Sequence, residues 1–565
     1  VNSATSVAVN ATAVTGLASD TISNIKTLLT AGNDVNQFTA TSFSNLATAV
    51  VSDTTLDVSD FVDAVDQANT ATSATSTVFT ITAVDTINGG TEANFTALLT
   101  DETNNQVSIT DQALTVDSGT VSVTNAKLLA ATTTGTITAD ITTTEDVDSL
   151  KTLFDTGETN AYTIVIAAGD ATSSTAAELN TINSATSVAV NATAVTGLAS
   201  DTISNIKTLL TAGNDTNQFT ATSFGSLATA VVSDSTLDVS DFVDAVDQAN
   251  TATGDTSAVF TITAADTING GTEANFTALL ADETNNQVSI TDQALTVDSG
   301  TISVTNANLL AATTTGTVTA SIDTTEDVDS LKTLFDTGET NAYTIVIAAG
   351  DATSSTAAEL NSINSATSVA VNMNSVTALA ASSLTDLGTL ATAIGNSELS
   401  NGDNLTTVAV SDTSIAADTL ATRIDSYDTI NAGGTTNMTL ASGATILVAS
   451  TEITHMLADE TASRLTISDQ KITVDSGTIS AATANLLAAT TTGVVTADIT
   501  TTERITALDD LTADGGTNAL TIVIAGDDAT ACTAAQLNTV NSATSVAVNA
   551  TAVTGLASDT ISNIK

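Results

Sequence analysis

The side chains in this chain that could do chemistry are carboxylates gathered at turns: TVDSG from Thr115, DTGETN from Asp155 and AAGDATSS from Ala167. Such turns suit a hard divalent cation, because calcium takes about six to eight oxygen ligands and carboxylates supply them well. Asp117, Asp155, Glu158 and Asp170 are the calcium candidates. The competing reading at any one of them is a structural turn with a solvated carboxylate. Neither an EF-hand loop nor a glycine-rich nonapeptide is present to concentrate the ligands.

Other reactive groups are sparse. His455 is the single histidine and stands where the first repeat has Ala97; with no cysteine cluster or serine elbow it supports neither a metal site nor a triad, and it reads as neutral drift. Cys532 is the single cysteine and replaces a serine, Ser174, of the first repeat. Thr136 and Thr138 alternate with Ile137 and Ala139, and Thr80 and Thr82 with Phe79 and Ile81, so threonines are expected to face solvent along strands. A regular threonine array would bind ice or a glycan, but the spacing here is not constant. Sequons such as Asn10 and Asn94 arise readily in a threonine-rich chain. No catalytic constellation emerges, and the chain reads as something other than an enzyme.

The charge balance narrows the partners. Ten Lys and Arg face 63 Asp and Glu, a net charge of −53, which excludes nucleic acid and anionic membrane surfaces as direct partners. Divalent cations, glycans and other copies of the chain remain. Hydrophobic residues make up 42% and fall in short regular runs, so the chain folds rather than behaving as an acidic tail. No run approaches the about 18 apolar residues that a membrane span needs.

The elements that must position these groups recur. Closely similar phrases begin at Val1, Ile182, Ile363 and Val540, giving periods of 181, 181 and 177 residues, and the last 26 residues match the first 26 letter for letter. The expected organisation is repeat unit 1 over 1–181, repeat unit 2 over 182–362, a divergent repeat unit 3 over 363–539, and the start of a further unit over 540–565, a stretch of a longer array. Within a unit, short helical phrases precede strands. Thr175 with Glu178 three residues later forms a capping box that places Leu179 and Ile182 on one face. Thr144 and Ser19 are the expected caps of two further helices, and SVAVNATAV, VFTITAV, QVSITDQAL, TVSVTNA and GTITADI are the expected strands.

Crossovers of this kind imply parallel strands, and the absence of proline leaves every backbone N–H free to donate along a ladder. The expected fold is therefore a right-handed β-solenoid with parallel strands and short helices in its coils; tandem β-sandwich modules are the alternative.

The strings STAAELNTINSATSVAVNATAVTGLASDT and NLLAATTTGTVTA resemble the Ala/Thr/Asp-rich tracts of giant secreted cell-surface repeat proteins of cyanobacteria and related marine bacteria. That resemblance implies export without a cleaved signal, calcium binding, an extracellular location and a role as a surface fibre, sheath, adhesin or motility component. The glycine-rich calcium motif usual in such proteins is missing. The function expected is that of a structural extracellular repeat protein building an acidic fibre or layer, with an adhesin stalk or a threonine-array surface as alternatives.

Overall fold

The computed structural model describes residues 2–82, 86–153, 160–335, 341–431, 434–512 and 518–565. Among them run nineteen α-helices and seven separate parallel sheets of two to five strands. Parallel sheets alternating with helices make this an α/β fold, which overturns both the β-solenoid and the tandem β-sandwich. The reason lies in the segments between strands. The phrase VSDFVDAVDQANTAT places Val58, Phe61, Val62, Val65 and Ala68 on one helical stripe behind the Asp57 cap, and it forms a fifteen-residue helix, Val58–Thr72, rather than a bend. Antiparallel sandwich pairing does not occur among the described strands, because helices carry the chain back to start each strand in the same direction.

The chain divides into two compact units, Val1–Ile290 and Thr291–Lys565, so the division falls inside the second sequence repeat. In the first unit, one sheet joins Gly16–Asp20, Thr48–Val51 and Val78–Ile81, and another runs Thr55–Asp57, Thr86–Thr91, Ala113–Ser118, Ile137–Asp140, Ala161–Thr163. Neighbours in a sheet belong to successive layers, so like residues stack. Leu56 pairs with Ile87, Ile87 with Leu114, and Leu114 with Ile137, and all four are fully buried. The second unit repeats this ladder as Ile415, Ile446, Ile472 and Val495. Each such side chain contributes about 1.5–3 kcal/mol through burial. Helices lie against the helices of adjacent layers.

Several local expectations hold and several are corrected. The capping box at Thr175 and Glu178 opens the helix Ala176–Ser184, with Leu179 and Ile182 buried. In Ile137–Asp140, Ile137 and Ala139 are buried while Thr138 is exposed. The expected caps Ser19 and Thr144 are replaced by Thr21 and Asp146, each two residues on. TVSVTNA is not a strand: Ser122 caps the helix Val123–Thr132, and only Val121 makes a bridge. SVAVNATAV keeps only isolated bridges at Val190 and Asn191, and Val188 is only half-buried. No helix among the described residues is long and apolar enough to cross a membrane.

Candidate functional site at the helix termini

An α-helix begins with backbone N–H groups that have no partner within the helix, and carboxylates are favoured there by hydrogen bonding and by the helix dipole. In this fold several such starts take two caps from different places. The first is local: at Ile22–Gly32 the Thr21 hydroxyl accepts from Asn24 N–H. The second arrives from the following layer, where Asp53 Oδ2 accepts from Ile22 N–H at 2.7 Å. The same contact recurs at Ile203 with Asp234 (2.7 Å), Leu384 with Asp412 (2.8 Å) and Ile505 with Asp528 (2.8 Å). Glu145 does this for Val123 at 3.0 Å, and Glu326 for Val304 at 3.1 Å.

Asp201 shows how one carboxylate links two helices. Its Oδ2 accepts from Ala177 N–H at 2.7 Å in the preceding helix, while its Oδ1 accepts from Thr202 N–H and from the Asn205 amide at the start of its own. Asp559 repeats the arrangement with Ala535, Thr560 and Asn563, and those donors, Ala535 first, hold its carboxyl below the usual carboxylate range. In the third repeat Ser382 stands where the second has Asp201, and its hydroxyl accepts from Ala357 N–H instead. Glu92 reaches forward rather than back. Burial works against its ionisation, but the Ser122 N–H, the Ser122 hydroxyl and the Asn125 amide outweigh burial and hold the carboxyl low.

One of the calcium candidates belongs to this scheme, and a second accepts from a strand. Asp170 Oδ2 accepts from Val147 N–H at 3.3 Å, at the start of the helix Val147–Leu150. Asp117 Oδ2 accepts from Gly89 N–H at 2.7 Å, at an irregular point of the strand Thr86–Thr91 where Gly89 sits at φ +76°. Asp155 and Glu158 lie outside the described residues. Among the described residues no group of three or more His, Cys, Asp or Glu is placed to hold a metal ion. The few cations also bridge helices of neighbouring layers. Lys26 contacts Asp60 and Asp63 at 2.8 and 2.6 Å, and these two carboxylates raise its ammonium to about 12. Cys532 is buried and its thiol donates to the Asp528 carbonyl, as the Ser174 hydroxyl does to Asp170, which accounts for the replacement.

A second group of carboxylates is buried away from the helix starts, and sequence reading missed it. Asp101 is buried in the helix Glu92–Thr103, and burial first, then the nearby Asp66, pushes its carboxyl up to about 7. Asp282 beside Asp247 repeats this in the second repeat, also at about 7. The third repeat changes the surroundings. Where the first has Asn69 and Gln106, hydrogen-bonded to each other, the third has Asp428 and Arg464, whose Nη1 lies 2.8 Å from Asp428 Oδ2. Arg464 Nη2 also binds Oδ1 of Asp459, the counterpart of Asp101, and His455 Nδ1 lies 3.3 Å from its Oδ2. Burial raises the Asp459 carboxyl, opposed by Arg464 and His455. His455, which the sequence left as drift, thus joins a charged cluster. Its signal was the coincidence of His455 and Arg464 in the one repeat that also trims its neighbouring core.

No family model matches this chain, and no curated protein matches it.

Proposed function

We propose that this chain is a structural repeat protein of the cell exterior whose layers add to one another to build an acidic fibre, sheath or surface layer. One observation carries the reading: the carboxylate that completes the start of one helix comes from the layer that follows, as Asp53, Asp201 and Asp234 do. A layer built this way is finished only by its successor, and near-identical units keep that contact equivalent along an array. Acidic residues then serve cohesion between layers as well as solubility, and other copies of the chain are the partners. The threonine-rich faces and the sequons leave glycans as further partners of the exterior.

Electron microscopy of the purified chain and of native material tests this. Filaments or sheets with a regular axial repeat are expected. Single particles at every concentration and salt would contradict assembly and favour a stalk that spaces another domain from the cell. Adding calcium or a chelator in the same experiment asks whether a divalent ion joins the layers.

A further inference from the structure

The third repeat opens a cleft that the first two fill. It lies between the helices Ala417–Ile430 and Ile453–Thr461, encloses about 320 Å³, and is floored by Leu420, Ile424, Met456 and Leu465. Three changes make the room. Leu420 and Ala421 stand where the first repeat has Phe61 and Val62. Met438 replaces Phe79, whose ring meets that of Phe61 at 5.4 Å between centroids, a pairing repeated by Phe242 and Phe260. The second helix also starts later: counted back from the shared Asp459 and Asp101, it has nine residues where Glu92–Thr103 has twelve. Two aromatic rings and a helical turn are lost on this face, while the added bulk of Arg423 and Tyr427, which stand where the first repeat has Ala64 and Ala68, lies elsewhere on the helix, outside the cleft lining.

The groups at this cleft are acidic around an apolar floor. Asp418, Asp425, Glu452 and Asp459 line it, with His455 at the rim. Asp459 is only 1% exposed, one of its oxygens is taken by Arg464, and Oδ2 has no hydrogen-bond partner although His455 Nδ1 lies 3.3 Å away. A buried carboxylate oxygen left without a donor is costly, and a ligand that brings one recovers that cost. The surplus of negative charge excludes an anion. Since no group of three or more metal-ligating side chains converges among the described residues, the site does not suit a bare metal ion.

We propose that this cleft binds a small organic ammonium ion, whose N–H donates to Asp459 Oδ2 while a short alkyl body rests on Leu420, Ile424, Met456 and Leu465. The cleft lies at the lower end of the size range of small-molecule sites, which fits an amine of a few carbons. The site is built from residues particular to the third repeat, Leu420, Ala421, Met456 and His455, so an array carries one for each divergent unit.

Calorimetric titration of the full 565-residue chain with n-butylammonium at physiological salt tests the proposal, with n-butanol as the neutral isostere. One saturable site is expected, with n-butanol at least about tenfold weaker. Asp459→Asn is expected to weaken n-butylammonium binding by about tenfold or more. The Leu420→Phe, Ala421→Val double variant restores the residues that the first two repeats tolerate, so it is expected to fold and to lose the site. Absence of a saturable site, equal binding of n-butanol, or unchanged binding in the double variant would each overturn the proposal.

Discussion

A carboxylate matters most where it is the one group reaching a helix's first N–H. Asp234 does this for Ile203, so Asp234→Ala is expected to cost about 0.5–2 kcal/mol in denaturant unfolding. Asp244, which only pairs with Lys207 at 2.7 Å and is about half exposed, should cost under about 1 kcal/mol when replaced by Ala. The reverse ranking would remove helix capping as the role of these residues. The buried pair Asp101 and Asp282 predicts an opposite pH trend. Their folded carboxyls sit near 7 against an ordinary 3.8, so the folded state holds protons that the unfolded state has lost. Their stabilising contribution is complete below pH 3.8, falls as pH rises towards 7, and is gone above it. Asp101→Asn should therefore raise the Tm more at pH 8 than at pH 4, and an equal shift at both would refute it. Low-lying carboxyls such as Glu92 and Asp559 work the other way, and their contribution is lost as pH falls through their depressed range. None of these partnerships was legible in the sequence. The acceptor lies 31 residues beyond Ile22 but 22 beyond Val123, and no fixed spacing announces it.

At the scale of elements, capping chemistry was readable where a complete box stood beside an apolar stripe, as at Thr175 and Glu178. It was misread where β-branched residues opened a helix. Val121 and Val123 suggested alternation, yet Ser122 caps and Glu145 from the next layer completes the helix start, so tertiary context outweighed strand propensity. Two glycines at matching helix ends give a paired prediction. A Cβ at Gly213 would lie 2.6 Å from Phe224 Cδ2, within a buried ring, whereas Gly395 is exposed with open space around it, and in the third repeat Ile394 packs against Gly402, which stands where the second has Phe224. Gly213→Ala is expected to destabilise by about 1–3 kcal/mol through overpacking. Gly395→Ala should be neutral or stabilising by about 0.4–1 kcal/mol. Equal effects in thermal melts would reject this account of how the third repeat diverges.

At the scale of the molecule, one string occurs in three settings. Residues 2–26, 183–207 and 541–565 are identical, so differences among them come from neighbours. Ile203 and Ile206 are 3% and 0% exposed within the helix Ile203–Gly213. Their counterparts Ile561 and Ile564 are 73% and 50% exposed in a four-residue helix. The repeat itself was evident from the sequence, but the α/β architecture was not, because helix length depends on cover that adjacent layers supply. The central claim, that each layer is completed by the next, is tested most directly by amide hydrogen exchange on the intact chain. The account predicts that the amides of Ile203 and Ile206 exchange at least about a hundredfold more slowly than those of Ile561 and Ile564. Equal rates in these identical sequences would contradict it.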